Sequence, residues 1–368
     1  MLTNNGDFSE DVLIEILSKL SVKPLLRFRC VCKSWYDLVE NPSFIHKHFK
    51  NEDNTRLIVR YTDSDDDGSD DFYYPKICFS LFLDETLADL SSQDLLPQMP
   101  ILGVLFGPFD GIFCSFVNNF RIALWNLATK ECKALPQCIP ILPQNIEVSC
   151  SNVGFGLDPI SNNYKLVWIL TLWDDKRNTF YEFTHVGVYN LSTNSWRDFK
   201  GFEISKYNLR DVLDSMYHGG VCYWLAIRDG YGEVILSFSL NDEIFQEVQE
   251  PCIIEFAPKT LGVYNDYLCL IILDPSKSCF DAWIMKERHW IKQFTTRPFA
   301  EVDRPIGLWK NGAFFIRTSM GQLLLYYPST QEIRDLQLRS SEYSIYNYKE
   351  SLITLKAKDS LLDILNMG

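Results

Sequence analysis

The sequence predicts a small all-α head followed by an all-β body, which we expect to be a six-bladed β-propeller closed by N- and C-terminal strands. Two observations predict this fold class. Apolar residues recur at helical spacing in the first fifty residues and lose that spacing after Lys50. Beyond Lys50, β-branched and aromatic runs alternate with turn residues, and one hairpin pattern recurs at intervals of roughly 45 residues. We therefore place a helical domain at 1–50 and a propeller domain at 51–368.

Composition and charge narrow the range of functions that we expect for this protein. The chain has 368 residues, of which 46% are hydrophobic and 14% aromatic, and its net charge is −13. An acidic body repels phosphate backbones, so we expect no nucleic-acid partner. We also expect no membrane partner, because no run of 18 apolar residues occurs. Eleven cysteines without a CxxC pair, and no basic-then-apolar leader, indicate reduced thiols in the cytoplasm or also the nucleus.

The head is predicted to contain three or four short helices. Ser9 can cap a first helix that begins at Glu10, and Ser21 can cap a second with Pro24 in its first turn. A third piece spans Lys33–Val39, and a fourth spans Ser43–Lys50. Such a unit forms only a small core, so we expect it to need a partner that completes it.

Five segments of the body share one pattern, in which an aromatic residue is followed, seven positions later, by a hydrophobic one. Each has a polar centre and is predicted to be a hairpin whose two end residues face a core. The segments are "WNLATKEC" (Trp125–Cys132), "YNLSTNSW" (Tyr189–Trp196), "FSLNDEIF" (Phe238–Phe245), "WIMKERHW" (Trp283–Trp290) and "YYPSTQEI" (Tyr326–Ile333). A turn signal precedes each one: Asp110-Gly111, Asn162-Asn163, Gly219-Gly220, Asn265-Asp266 and Asn311-Gly312.

Both ends of the chain are predicted to supply a sixth unit. "ICFSLFLDE" (Ile77–Glu85) would pair with "SLITLK" (Ser351–Lys356), and this pairing would close a ring without exposed sheet edges. A pair of β-sandwiches is the alternative architecture.

No catalytic, cofactor or metal motif emerges. Asp63-x-Asp65-x-Asp67-Gly68 copies half of a calcium loop, but Tyr74 stands where a bidentate Glu is required. Cys30 and Cys32 would point to opposite sides of a helix, and His46 with His48 is interpreted as a surface pair. We therefore expect no enzyme activity, no metal and no cofactor.

Residues Phe8–Phe49, "FSEDVLIEILSKLSVKPLLRFRCVCKSWYDLVENPSFIHKHF", resemble the F-box. The resemblance implies that the head docks on a Skp-type adaptor, which brings a cullin and a RING subunit of a ubiquitin ligase. It departs from the family at Phe8-Ser9, where Leu-Pro is usual, and at Ser21 and Pro24. The resemblance assigns adaptor binding to Phe8, Val12, Ile16, Leu17, Leu20, Pro24, Leu25, Leu26, Arg29, Cys30, Val31 and Trp35.

The body resembles the F-box-associated domain of plant F-box proteins, and especially the S-locus F-box group. The resemblance is carried by "VGFGLDPISNNYKLVWI", "VGVYNLSTNSWRDF", "ILSFSLNDEIF" and "ESLITLK". It implies a non-catalytic receptor that presents a protein client for ubiquitination and proteasomal degradation, with a basic S-RNase of self-incompatibility as the leading client. The client is expected to meet one propeller face through Asp65, Asp66, Asp67, Trp173, Asp174 and Asp175. The alternative is a propeller-type protein- or glycan-binding scaffold that acts outside ubiquitination.

Overall fold

The computed structural model describes residues 9–50, 55–63, 76–82, 89–90, 105–117, 121–138, 146–174, 179–180, 184–209, 215–251 and 254–355. Four helices form the head: α1 (Glu10–Ser18), α2 (Val22–Phe28), α3 (Lys33–Val39) and α4 (Pro42–Lys50). These bounds agree with the sequence expectation to within a residue or two. Ser9 accepts a hydrogen bond from the Val12 N–H, so the predicted cap of α1 is present.

The predicted cap of α2 is wrong. Ser21 precedes the helix, but its side chain makes no capping hydrogen bond. The Val22 N–H instead donates a hydrogen bond, at 2.9 Å, to the carboxylate of Glu350, which is a residue of the propeller domain. A helix N-terminus favours a negative charge, so Glu350 performs the capping role with a stronger group than a hydroxyl.

Six antiparallel sheets follow the head, and we number them as blades 1 to 6 in chain order. Blade 1 contains β1 (Thr55–Asp63), β2 (Lys76–Phe82), β3 (Asp89–Leu90) and the last strand, β26 (Tyr343–Lys349). Blade 2 contains β4 (Leu105–Phe109), β5 (Ile112–Val117), β6 (Arg121–Asn126) and β7 (Glu131–Ala134). Blade 3 contains β8 (Ile146–Asp158), β9 (Asn163–Asp174), β10 (Thr179–Phe180), β11 (His185–Asn190) and β12 (Ser195–Asp198).

The other three blades continue the series. Blade 4 contains β13 (Tyr207–Leu209), β14 (Met216–His218), β15 (Val221–Arg228), β16 (Gly232–Ser239) and β17 (Ile244–Val248). Blade 5 contains β18 (Lys259–Tyr264), β19 (Tyr267–Asp274), β20 (Cys279–Lys286) and β21 (His289–Thr295). Blade 6 contains β22 (Val302–Leu308), β23 (Phe314–Thr318), β24 (Gln322–Tyr327) and β25 (Glu332–Arg339).

Each pair of neighbouring blades shares one apolar cluster, so the core is a ring rather than a single centre. Trp168 lies in the cluster between blades 2 and 3, Trp224 in the one between blades 3 and 4, and Phe314 in the one between blades 5 and 6. Leu57 and Phe315 share the cluster that joins blade 6 back to blade 1. The six-bladed propeller is therefore confirmed, and the β-sandwich alternative is wrong.

The five repeated segments are the outer hairpins of blades 2 to 6. Tyr189 pairs with Trp196, and Phe238 pairs with Phe245, as the pattern requires. In blade 5 the register shifts by a bulge, so Trp283 faces Lys292. In blade 6, Ile333 pairs with Tyr326 but is 42% exposed, so its predicted core position is wrong.

Ring closure uses a different strand from the one expected. β26 pairs with β1, and β1 separates it from β2, so the C-terminal strand does not touch the Ile77–Glu85 segment directly. Ser351–Leu355 forms no strand. Its backbone is held by blade 2, because the Asn126 amide donates to the carbonyls of Ser351 and Ile353 at 3.0 and 2.8 Å.

The strand order defines two faces. β1 starts at Thr55, opposite Lys349 at the end of β26, and this end of blade 1 lies against the head. We call it the head face; it carries the turns between first and second strands, such as Asp110-Gly111. We call the other the far face; it carries the connections between second and third strands and those between blades.

Candidate functional site

The head has an apolar surface that its own chain leaves uncovered. Val12 and Ile16 on α1 are 44% and 50% exposed, Val31 before α3 is 65% exposed, and Tyr36 on α3 is 45% exposed. Val12 and Ile16 are four residues apart on one helix, so they lie on the same side of it. Large apolar side chains at this exposure mark a surface that another molecule can cover.

The predicted adaptor-binding residues divide by burial. Leu17 and Leu25 are 3% and 0% exposed and form the core of the head with Val22, Val39 and Phe44. The half-buried members of the predicted set are Leu20, Pro24, Leu26, Arg29 and Trp35, and the exposed ones are Val12, Ile16, Cys30 and Val31. Phe8 lies outside the described residues. The set therefore combines residues that hold the helices together with residues that can touch a partner.

Tyr36 was missed by sequence reasoning. Its ring lies 5.2 Å from the Arg29 guanidinium carbon, and Arg29 also pairs with Glu40 at 2.5 Å. The two contacts position Arg29 beside the exposed ring. An aromatic residue one position after Trp35 in α3 was the available signal, because Trp35 packs inward on Phe28 and its neighbour must point elsewhere.

The head is held on the propeller by residues at the end of β26 and in the segment that follows it. Leu352 is 3% exposed and lies in the head core, beside the half-buried Ala128 of blade 2. Glu350 accepts the Val22 N–H and also pairs with Arg56 of β1 at 2.8 Å. The Lys349 ammonium lies 5.1 Å from the Phe49 ring centre. These contacts fix how the exposed surface of the head is directed relative to the ring.

His48 belongs to the same junction, and its predicted place in a surface pair is wrong. It is 1% exposed, and its Nε2 lies 2.8 Å from the Leu20 carbonyl oxygen. Burial lowers the pKa of His48, so the neutral ring donates Nε2–H to that carbonyl. The residue packs beside Phe44, one helical turn earlier in α4.

The cysteines of the head do not lie on a helix as expected. Cys30 follows α2, and Cys32 is the N-cap of α3; both side chains are exposed. Neither thiol forms a disulfide, and the same holds for the other cysteines whose side chains the structure describes.

The predicted client-binding residues fall at two connections of the propeller. Asp65, Asp66, Asp67 and Asp175 lie outside the described residues, and Trp173 and Asp174 are placed only as the last positions of β9. β1 and β9 are both the second strand of their blade, so the two strands end, at Asp63 and Asp174, on the same face of the propeller. That face is the far face, opposite the head.

Exposed apolar residues on the far face were not predicted. Tyr231 is 74% exposed in the β15–β16 turn, Phe256 is 62% exposed in the link between blades 4 and 5, and Met320 is 65% exposed in the β23–β24 turn. Each stands in a loop rather than in a periodic segment, so no pattern of strand alternation could single it out.

The central channel holds a cavity of about 280 Å³ lined by first strands of five blades. Its polar side chains include Thr260, Ser344 and Asn347, and its lining in the described chain includes no charged residue. A second cavity of about 590 Å³ lies between the outer strands of blades 4 and 5, beside Glu247 and Trp290. The lining of the second cavity also includes Ser239, Glu250 and His289, and its two glutamates already pair with Arg228 and Lys259.

Cys138, His185 and Asp198 form the grouping most similar to a catalytic triad. Both the Cys138 sulfur, at 3.9 Å, and the Asp198 carboxylate, at 3.8 Å, approach the same ring nitrogen of His185. A triad requires the base to use one nitrogen for the nucleophile and the other for the acid. Burial also raises the pKa of Cys138 to about 12, which disfavours the reactive thiolate.

Within the described residues, no three His, Cys, Asp or Glu side chains are grouped so that they could hold a metal ion. The helices of the same residues include none with the length and apolar character needed to cross a membrane.

These features define a class of protein: a β-propeller ring that carries a small helical docking unit with uncovered apolar surface. Comparison with protein families identifies the family. Residues 6–47 match the F-box domain, and residues 85–357 match the F-box associated beta propeller domain. The chain belongs to the family of F-box proteins with an F-box-associated propeller.

Relatives from Arabidopsis thaliana agree with this assignment. The F-box protein At1g11270 is 27% identical over 274 residues, which cover 71% of this chain and 81% of that one. Another Arabidopsis F-box protein is 27% identical over 246 residues, and the match spans 66% of this chain but only 60% of that relative. Among solved structures, TolB from Acinetobacter baumannii is similar with a TM-score of 0.45 and 12% identity, over 83% of this chain and 69% of that one.

Proposed function

We propose that the protein is the substrate-recognition subunit of an SCF-type ubiquitin ligase. The head would dock on a Skp-type adaptor, which carries the cullin and the RING subunit, and the propeller would hold a protein client. The observation that supports this most directly is the apolar surface of Val12, Ile16, Val31 and Tyr36 on a head that matches the F-box domain.

In this role the protein contributes proximity rather than chemistry. Glu350 and Leu352 join the head to the ring, so a client bound to the ring would have a defined orientation relative to the ligase. In this proposal, catalysis is left to the other subunits of the ligase.

For the client, we propose a basic protein, with an S-RNase of self-incompatibility as the leading candidate. The support is charge: the head has seven Lys and Arg against six Asp and Glu, a net of +1, so the body carries −14 of a total net charge of −13. An acidic receptor attracts a basic client over distance and speeds encounter. Membership of the S-locus group and action in the cytoplasm or nucleus are parts of the same proposal.

Adaptor binding is tested with Ile16→Asp combined with Val31→Asp. Both side chains are about half exposed or more, so the helices can fold around the changes, whereas Leu25 is fully buried and its substitution would report head folding instead. We expect about 100-fold weaker binding to a purified Skp-type adaptor in calorimetry, because two apolar contacts are replaced by desolvated charges.

The matched control is Met320→Asp, which adds a charge at an equally exposed apolar residue on the far face. It should bind the adaptor like the wild type. Equal binding by all three proteins would contradict the docking role of the head.

A scaffold outside ubiquitination is separated from a receptor by the fate of the client. A bound basic protein should gain ubiquitin in a reconstituted ligase that contains the wild-type chain, and not with the Ile16→Asp, Val31→Asp variant. Binding without ubiquitin transfer in the wild-type reaction would favour the scaffold.

A further inference from the structure

The loop between blades 4 and 5 holds an aromatic residue in an unfavourable backbone conformation. Ile254 to Ala257 form a turn in which the Ala257 N–H is donated to the Ile254 carbonyl at 3.2 Å. Phe256, the third residue of that turn, has φ +56°. This position of such a turn favours glycine, because a β-carbon is crowded at positive φ.

The strained residue is also the one that is turned to solvent. Phe256 is 62% exposed, so its ring gains little from packing in the folded protein. A bulky residue that is unfavourable for the backbone and contributes little to the core is a recognised mark of a functional position.

A buried ion-pair group holds this loop in place. The Glu233 carboxylate accepts the Phe256 N–H at 3.0 Å and the Lys259 ammonium at 2.7 Å. The same ammonium reaches Glu250 at 2.5 Å, and all three charged side chains are less than 10% exposed. Because buried charges hold each other in a fixed geometry, the turn that presents Phe256 rests on a rigid base.

A second exposed ring precedes Glu233, the residue that bonds the Phe256 N–H. Tyr231 precedes Glu233 by two residues, which is a distance of about 7 Å along a strand. Its ring is 74% exposed, and the Arg228 guanidinium carbon lies 4.0 Å from the ring centre, which fixes the ring orientation. Phe256 and Tyr231 are therefore exposed, positioned rings on adjoining loops of the far face, and we call them the aromatic pair.

The charges around the aromatic pair are acidic. Asp229 and Glu255 are exposed and each lies within two residues of one of the rings. Two cations nearby, Arg228 and Lys206, are already paired with Glu247 and Glu203 respectively.

We propose that the aromatic pair is an anchor site for a basic segment of the client, which lays an Arg or Lys side chain and its apolar neighbours across the two rings. The client cation is attracted by the Phe256 ring and by the flanking carboxylates, while its apolar stem covers exposed carbon of the Tyr231 ring, over which Arg228 already lies. This inference rests on the proposed function, since it specifies where the propeller holds its client. It is the far face, opposite the head, that receives the segment.

The test uses Phe256→Gly. Glycine suits the backbone at φ +56°, so we expect the melting temperature to stay the same or rise, while binding falls. The probe is a randomised 16-residue peptide library composed of Arg, Lys, Leu and Ile, measured by fluorescence anisotropy. A second library replaces Arg and Lys by Asp and Glu. We expect the wild type to bind the basic library and Phe256→Gly to bind it at least 10-fold more weakly.

The matched control is Gln331→Gly, which relieves a positive φ of +58° at an exposed residue of the head face. It should also keep or raise the melting temperature, but it should leave peptide binding unchanged. The combination of Asp229→Lys and Glu255→Lys tests the charges; we expect it to weaken binding of the basic library with the rings still present.

Three outcomes would overturn the inference. These are equal binding of the basic library by Phe256→Gly and the wild type, equal binding of the acidic and basic libraries, and equal loss in Gln331→Gly. A purely electrostatic attraction to the acidic body would give the first result, because Phe256→Gly changes no charge. Adaptor binding by Phe256→Gly is measured in parallel: if it persists while peptide binding is unaffected, the anchor site is wrong and the receptor role stands.

Discussion

Val22, the first residue of α2, donates its N–H to the Glu350 carboxylate at 2.9 Å across 328 positions of the chain. The other oxygen of Glu350 pairs with Arg56 at 2.8 Å, on the first strand after the head. One carboxylate therefore joins a helix start of the head, the first strand of the ring and the segment after the last strand. This relationship makes the direction of the head a property of the folded ring.

Glu350→Gln should loosen this junction while leaving the ring folded. The amide keeps the shape of the side chain but loses the charge that favours the helix N-terminus and the pair with Arg56. We expect roughly 5- to 30-fold faster hydrogen exchange at the Val22 amide, which corresponds to about 1–2 kcal/mol. Glu40→Gln, which removes an ion pair inside the head, is the control and should leave that amide unchanged.

Acid should weaken the same junction through His48. Burial lowers the pKa of His48 in the folded protein, and the nearby Glu350 opposes this effect while Lys349 adds to it. The unfolded ring titrates near 6.5, so unfolding takes up a proton below that pH. Stability contributed by the neutral ring is therefore complete above about pH 6.5 and is lost as the pH falls toward the folded pKa.

His48→Gln keeps a donor for the Leu20 carbonyl and removes the titration. Urea unfolding of the wild type and the variant at pH 7.5 and 5.5 measures the difference. His185 also has a pKa lowered by burial and remains in both proteins, so its effect cancels. We expect the variant to lose less stability on acidification; identical losses would show that His48 is not responsible.

Two head cysteines offer a footprint of the adaptor. Cys30 and Cys32 are exposed, whereas Cys114 and Cys222 are buried, and burial raises the pKa of both of these thiols. We expect iodoacetamide to label only the head pair among these four, since alkylation requires an accessible thiolate. Bound adaptor should then protect Cys30, a member of the predicted contact set. Labelling of Cys30 at the same rate with and without adaptor would place the contact elsewhere.

Lys259→Met should destabilise the propeller strongly. The change leaves Glu233 and Glu250 buried without the ammonium that both of them contact. Removal of one member of a buried ion-pair group costs about 3–5 kcal/mol, and denaturant unfolding can measure this. Lys277→Met removes an exposed ammonium from Asp274, whose carboxylate keeps its two hydrogen bonds from Ser276, and should cost less than about 1 kcal/mol. Similar costs for the two variants would show that burial does not set the strength of the group.

Most of the fold was readable from local patterns. Helix starts and ends in the head follow from Ser9, Pro42 and the apolar spacing, and the blades follow from the repeated hairpins. The repeat works as a predictor because each blade has the same inward and outward alternation, which its sequence must respect.

The predictions that were wrong concern contacts between residues that are far apart in the sequence. "SLITLK" is predicted as the closing strand, but the segment that pairs with β1 is "YSIYNYK", which forms β26. Ser21 has the composition of a cap, but the partner that takes its place is Glu350, far away in the sequence. His48 could have been found, because Phe44 lies four residues earlier on the buried side of α4.

The candidate site was predicted in kind but not in detail. The resemblance supplied the twelve head residues, and the structure separates the buried Leu17 and Leu25 from the exposed Ile16 and Val31. The aromatic pair escaped sequence reasoning, because a loop phenylalanine at positive φ has no signature until its backbone is seen.

The position of β26 also bears on how the protein is made. A ribosome completes the head helices and five blades before it synthesises Tyr343–Lys349, the strand that shuts blade 1. Glu350 and Leu352 follow it, so the contacts that hold the head on the ring cannot form until these residues have been translated. A transcript truncated before this point would encode an open ring, in which the helices of the head are not held in a fixed orientation.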